Sequence, residues 1–140
     1  MKNIQADIKS GNFKQAYLLY GEEAYLKQQY KQNLIKALNP DGDTMNFSHY
    51  EGKGVDIKQL IDLCETMPFF ADRRVILLED TGFFKNKCEE LADYMKELPD
   101  YLCLVFAESE VDKRNRMYKA VKACGTIAEF ARQDEKTLMR

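Results

Sequence analysis

Hydrophobic positions come in two rhythms along this chain. Ala16-Tyr17-Leu18-Leu19-Tyr20 is a continuous apolar run closed by Gly21, which predicts a buried strand. From Glu22 the rhythm changes: Leu26, Tyr30, Leu34 and Leu38 recur every four residues, one stripe of a helix that Asn39-Pro40 ends. Asp41-Gly42-Asp43 makes a turn, and Met45 to Tyr50 then alternates, with Met45, Phe47 and His49 on one side, as an outer strand would. Gly52 and Gly54 loosen the next connection. Asp56 is placed to cap a helix, with Gln59 at the reciprocal capping-box position and Ile57, Leu60, Ile61 and Cys64 facing inward. Beyond Pro68, Arg74-Val75-Ile76-Leu77-Leu78 predicts a second buried strand. A helical stripe follows at Cys88, Leu91, Ala92, Met95 and Leu98, stopped by Pro99. Tyr101 to Phe106 is another apolar strand. Met117, Ala120, Val121 and Cys124 mark a last helix, closed by Gly125, and Thr126 to Phe130 a last strand.

Five strands alternating with four helices predict an α/β domain. Continuous apolarity in the inner strands means that both faces of the sheet are covered, and right-handed crossovers then give a doubly wound, mainly parallel arrangement. Neither a repeat nor a domain boundary is visible before about residue 130, and the expected domain is 1–131. Residues 132–140 read as a polar linker entering another helix, which predicts a further C-terminal part. The N-terminus has no signal-peptide pattern; its lysines and asparagines lead into a short amphipathic segment.

Composition narrows the function classes. The chain has 140 residues, enough for one domain with a real core, and 21 basic against 23 acidic side chains give a net charge of -2. No whole-domain field draws it onto nucleic acid; Lys113, Arg114, Arg116, Lys119 and Lys122 offer a local basic face, for which a solvated helix side is the simpler account. Cys64, Cys88, Cys103 and Cys124 are scattered among core-like positions without a CxxC and read as reduced thiols, which suits the cytoplasm. His49 is the single histidine. No run approaches the roughly 20 apolar residues that a membrane span needs.

Chemistry-bearing constellations are incomplete. In a doubly wound sheet, the loop after the first strand is where glycine amides and a helix start would cradle phosphate. Here it reads Tyr20-Gly21-Glu22-Glu23-Ala24-Tyr25-Leu26-Lys27. Glu22 and Glu23 put two carboxylates where phosphate would approach, and Lys27 lacks the Ser or Thr that would hold magnesium. Leu77-Leu78-Glu79-Asp80 resembles the acidic strand end of an ATPase, but without the loop a solvent-facing strand exit is the more economical reading. Ser109, His49 and the carboxylates form no nucleophile arrangement. The expectation is no catalytic residue, no metal site and no cofactor.

Met67-Pro68-Phe69-Phe70-Ala71 is more telling. Pro68 interrupts helical hydrogen bonding, so a Met and two Phe fall together in a loop before a buried strand. From composition alone two readings stay open: the side chains finish the core under the sheet edge, or they form an exposed wedge that enters a pocket on another protein. In the second, Asp72, Arg73 and Arg74 would be its polar rim.

Three stretches in this order resemble a known family: Ala16 to Glu23 with Tyr25-Leu26, then Cys64-Glu65-Thr66-Met67-Pro68-Phe69-Phe70-Ala71-Asp72-Arg73-Arg74, then Val75 to Leu78. Together with Asp134-Glu135-Lys136-Thr137-Leu138 they look like the N-terminal domain of the delta subunit of the bacterial DNA polymerase III clamp loader. The resemblance implies an AAA+-like, P-loop NTPase-type fold with a degenerate phosphate loop at Gly21, Glu22 and Glu23, and no ATP hydrolysis of its own. It implies that Met67, Phe69 and Phe70, supported by Pro68 and Ala71, form the element that grips the sliding clamp (beta). Phe69 stands where the family also accepts a smaller aliphatic residue. The implied partners are that clamp, the delta-prime and tau/gamma ATPase subunits, and primed DNA through the assembled loader, within the cytoplasmic replisome. A nucleotide-binding ATPase with a nonstandard site and a purely structural adaptor are the alternatives.

Overall fold

The computed structural model describes residues 2–39, 47–68, 73–85 and 88–130. Five strands, β1 (Ala16–Tyr20), β2 (Phe47–Glu51), β3 (Arg74–Glu79), β4 (Leu102–Glu108) and β5 (Thr126–Glu129), form one sheet in the order β2-β3-β4-β1-β5, and every pairing is parallel. The helices are α1 (Lys2–Ser10), α2 (Ala24–Leu38), α3 (Ile57–Cys64), α4 (Glu89–Tyr94) and α5 (Arg116–Cys124).

Alternate residues of each inner strand enter different cores, which is why these strands are apolar throughout. Leu18, Ile76, Leu78, Leu104 and Phe106 pack under α3, α4 and α5, while Tyr17, Leu19, Val75, Leu77 and Val105 pack under α1 and α2. Helices thus cover both faces, as the doubly wound expectation requires. β2 is an edge strand and is buried less completely than β1, β3 and β4. On α2, Leu34 and Leu38 are buried, and Leu26 and Tyr30 of the same stripe lie partly buried against the core.

Local signals behave as their chemistry dictates. Asp56 caps α3 by accepting from the amides of Lys58 and Gln59 at 2.9 and 3.4 Å. Asn115 does the same for α5, accepting from Met117 N at 2.7 Å. The four cysteines are free, and burial pushes the Cys64 and Cys103 thiols up to about 12, so both stay protonated near neutrality.

Three details depart from expectation. The N-terminal amphipathic segment is a full helix, α1, anchored by Ile4 in the core and by Tyr17 Oη donating to Asp7 Oδ2 at 2.7 Å. The stripe from Cys88 to Leu98 is a short α4 that tightens into a 3₁₀ turn at Met95–Glu97 before Pro99. β4 starts at Leu102 and runs to Glu108, two residues beyond Phe106. Asp41-Gly42-Asp43, Met45, Asp72 and the segment 132–140 lie outside the described residues.

Candidate functional site

All five strands point the same way, so the sheet has two chemically distinct edges. Nucleotide in a fold of this kind sits at the C-terminal edge. Here β2, β3, β4 and β5 each end in a glutamate (Glu51, Glu79, Glu108, Glu129), and β1 ends at Tyr20, followed by Gly21-Glu22-Glu23. This edge is dense in negative charge and in polar groups that already have partners.

The loop after β1 is filled by the protein itself. Phe130 N donates to Tyr20 O at 2.6 Å, and Phe130 O accepts from Glu23 N at 2.8 Å, so an amide that could face a phosphate is already used. Gly21 has φ of 125°, a conformation disfavoured for side-chain-bearing residues, and any Cβ there would collide with the Phe130 backbone. The glycine therefore serves a close approach of two backbones. Lys27, at the position of a phosphate-loop lysine, turns its ammonium back onto the carbonyls of Gly21 and Glu108 at 3.3 and 3.2 Å. An open cleft of about 740 Å³ lies beside this loop. Its two lysines are met by carboxylates: Lys85 pairs with Glu110, and Lys113 lies 3.9 Å from Glu129. Glu22 adds another negative charge to the lining.

The acidic end of β3 is likewise engaged. Glu79 takes Lys31 on one oxygen at 2.9 Å and His49 on the other at 2.7 Å. His49, Glu51 and Glu79 bring ligand-type atoms within 4.8 Å of one another, a cluster that sequence spacing did not reveal. The Lys31 ammonium on Glu79 opposes a cation there, and the carboxylate is engaged on both oxygens. Glu108 is 1% exposed and accepts from the amides of Thr81 and Gly82 at 3.0 Å each, closing the turn after β3. Burial pushes its carboxyl above the ordinary carboxylate value, while those amides pull the other way.

The N-terminal edge is different. There α3 ends, and the chain passes through Thr66, Met67 and Pro68 before returning as β3. Met67 is 73% exposed, beside a half-buried Pro68. Behind it the backbone is held. The side chain of Arg74, only 5% exposed as a residue, donates through Nε to Thr66 O at 2.8 Å and through Nη2 to Met67 O at 3.3 Å. Tyr101 Oη donates to Cys64 O at 3.2 Å. These carbonyls are at the helix end, where no amide of the helix reaches them.

The model of the family described as DNA polymerase III, delta subunit, matches residues 17–131. The chain belongs to this family. DNA polymerase III subunit delta of Bacillus subtilis (strain 168) is 24% identical over 132 residues, covering 86% of this chain and 38% of that protein. The solved Bacillus subtilis DNA clamp loader delta protein (YqeN) superposes with a TM-score of 0.84 at 22% identity, over 97% of this chain and 44% of that one. A DNA polymerase III gamma subunit-related protein from Thermotoga maritima has a TM-score of 0.64 at 12% identity, over 96% of this chain and 47% of that one. The chain thus spans less than half the length of each of these relatives. The shared architecture is the AAA+-like doubly wound domain.

Within this delta-family domain, Gly21, Glu22 and Glu23 sit together at the C-terminal edge, far along the strands from Met67 and Pro68 at the N-terminal edge. Phe69, Phe70 and Ala71 lie outside the described residues. One expectation is corrected. Arg74 is no exposed rim residue: it is the buried first residue of β3, with its side chain folded back under the loop. Arg73 also departs from a free rim, its guanidinium lying 4.7 Å from the centre of the Phe13 ring. The basic residues before and within α5 are partly neutralised, Arg116 by Asp93 at 2.8 Å and Glu89 at 3.6 Å, and Arg114 by Asp112 at 3.2 Å.

Proposed function

We propose that this domain is the clamp-gripping part of a clamp-loader delta subunit, binding the sliding clamp through Met67, Phe69 and Phe70 and helping to open it for loading onto primed DNA. Family membership supports the setting, and the exposure of Met67 carries the reading. Water faces a large apolar side chain just past the end of α3, where the backbone carbonyls are tied down, and a pocket on a partner is the natural place to bury it. Thioether and aromatic side chains bury much area and adapt to the pocket they enter. Pro68 and Ala71 support the loop, Pro68 by denying the helix another turn. Residues 132–140 lead on, in this reading, towards a helical second domain.

The C-terminal edge supports a division of labour. Glu22 and Glu23 repel phosphate, and Phe130 occupies the elbow of the degenerate loop, so ATP binding and hydrolysis fall to the tau/gamma subunits that join delta and delta-prime in the loader. Cytoplasmic work at the replisome follows. The grip acts on the ring only as far as the domain binds the open state more tightly than the closed one.

A pull-down against the cognate clamp tests this, comparing the parent with a Met67/Phe69/Phe70 triple alanine variant and matching the two by circular dichroism. The expected result is loss of capture by a folded variant. Parent-level capture by that variant would sink the proposal.

A further inference from the structure

Resting on the clamp-gripping reading, we infer that Arg74, with Tyr101 beside it, is the positioning device of the tip: these two side chains fix the direction in which the chain leaves α3, and so where Met67 points. An α-helix leaves its last carbonyls without partners, and a chain leaving such an end can depart in many directions unless something binds them. In this domain three carbonyls at and just past that end are addressed by side chains from β3 and from the residue before β4. Cys64 O accepts from Tyr101 Oη, which immediately precedes β4, and Thr66 O and Met67 O accept from the forked guanidinium of Arg74, at the start of β3. β3 and β4 are in turn locked together here, with Arg74 opposite Leu102 and Arg74 N donating to Tyr101 O at 2.9 Å. The tip is therefore referenced to the centre of the sheet, not merely to its own helix.

Charge and shape explain why arginine does this. Its cation lies at the negative end of the α3 dipole. Its planar fork reaches two adjacent carbonyls at once from a fixed geometry, which a lysine ammonium on a flexible stem does not reproduce. Holding the turn before the partner arrives removes an ordering cost that binding would otherwise carry. Met67 can thus be exposed and yet fixed in direction.

The test uses the full chain and the sliding clamp as titrant, with Arg74→Lys and the milder Tyr101→Phe, each also combined with Met67→Ala. Clamp affinity is followed by surface plasmon resonance, and folding by thermal unfolding. Arg74→Lys, which gives up the fork across two carbonyls, is expected to weaken clamp binding about tenfold, and Tyr101→Phe, which gives up one hydrogen bond, about threefold. In the Met67→Ala background both losses shrink, because a misplaced side chain that is no longer there costs nothing. A change in stability alone does not generate that coupling. Folded variants that bind as the parent does, or losses that multiply unchanged with Met67→Ala, overturn the positioning role. If Arg74→Lys fails to fold, Tyr101→Phe decides by the same two criteria. If Met67→Ala and the triple alanine variant themselves leave clamp affinity untouched, the clamp-gripping reading is what fails.

Discussion

The two edges of this sheet satisfy their backbones in opposite ways. At the C-terminal edge, the protein turns its own groups inward: Phe130 bonds across the loop after β1, Lys27 faces two carbonyls, Glu79 holds Lys31 and His49, and Glu108 collects two amides. At the N-terminal edge, Arg74 and Tyr101 satisfy the carbonyls of Cys64, Thr66 and Met67, yet a side chain with no polar need of its own stands in water. A polar group is content once it has one good partner, so the first edge can be closed from within. An exposed apolar group gains from contact with another surface and so remains available. Within one doubly wound sheet, one edge can thus be closed by polar contacts of its own while the other leaves an apolar side chain in water.

The sharpest way to break the comparison is Gly21→Ala. If the loop after β1 is a closed structural joint, a Cβ against the Phe130 backbone, in a backbone conformation unfavourable to alanine, should cost about 3 kcal/mol or more of stability. Urea unfolding measures this directly. A neutral result would mean that the joint is loose and the loop open to other occupants.

Met67→Ala should produce the opposite profile. Truncating a mostly exposed side chain should move unfolding stability by no more than about 0.5 kcal/mol, while clamp affinity falls by roughly 1 to 2 kcal/mol, about five- to thirtyfold. Equal effects on folding and binding would erase the distinction between the edges.

The smallest effect is a pH trend at Glu108. Burial raises its carboxyl above the ordinary 4.5, so the folded protein holds that proton more tightly than the unfolded chain does. The resulting stabilisation is complete below the ordinary value and is lost as pH rises through the folded one. The stability of the parent relative to Glu108→Gln should therefore be greatest in acid and decline towards neutrality, read by urea unfolding between about pH 4 and 8. The reverse slope would mean that the Thr81 and Gly82 amides outweigh burial.

Much of the architecture is legible in the sequence. Runs such as Leu18-Leu19 and Ile76-Leu77-Leu78 have no polar side, which only a sheet covered on both faces accommodates, and β1 and β3 are so covered. Asp56 acted as the cap that its position suggested, because a cap is a local event. Of the strand-end glutamates, Glu79 stands at the acidic strand end that the sequence shows and Glu129 lies within its last strand, but Glu51 and Glu108 are not foreseen. The expected strands stop at Tyr50 and Phe106, whereas β2 and β4 continue to Glu51 and Glu108, since backbone pairing carries on after the side-chain pattern stops.

By itself, the sequence determined the order of elements, the two-sided burial of the sheet, the weakness of its phosphate loop, and an oily segment interrupted by Pro68. Those follow from periodicity and from what neighbouring residues do to one another's backbones. Only tertiary structure decided that Phe130 closes the loop at Gly21, that Glu79 draws in Lys31 and His49, and that Arg74 turns under the helix end while Met67 stays outside. The first two join groups distant along the chain and the third spans the bend between a helix and the next strand, and the strength of a hydrogen bond or ion pair depends on ångström-scale placement that no local pattern encodes.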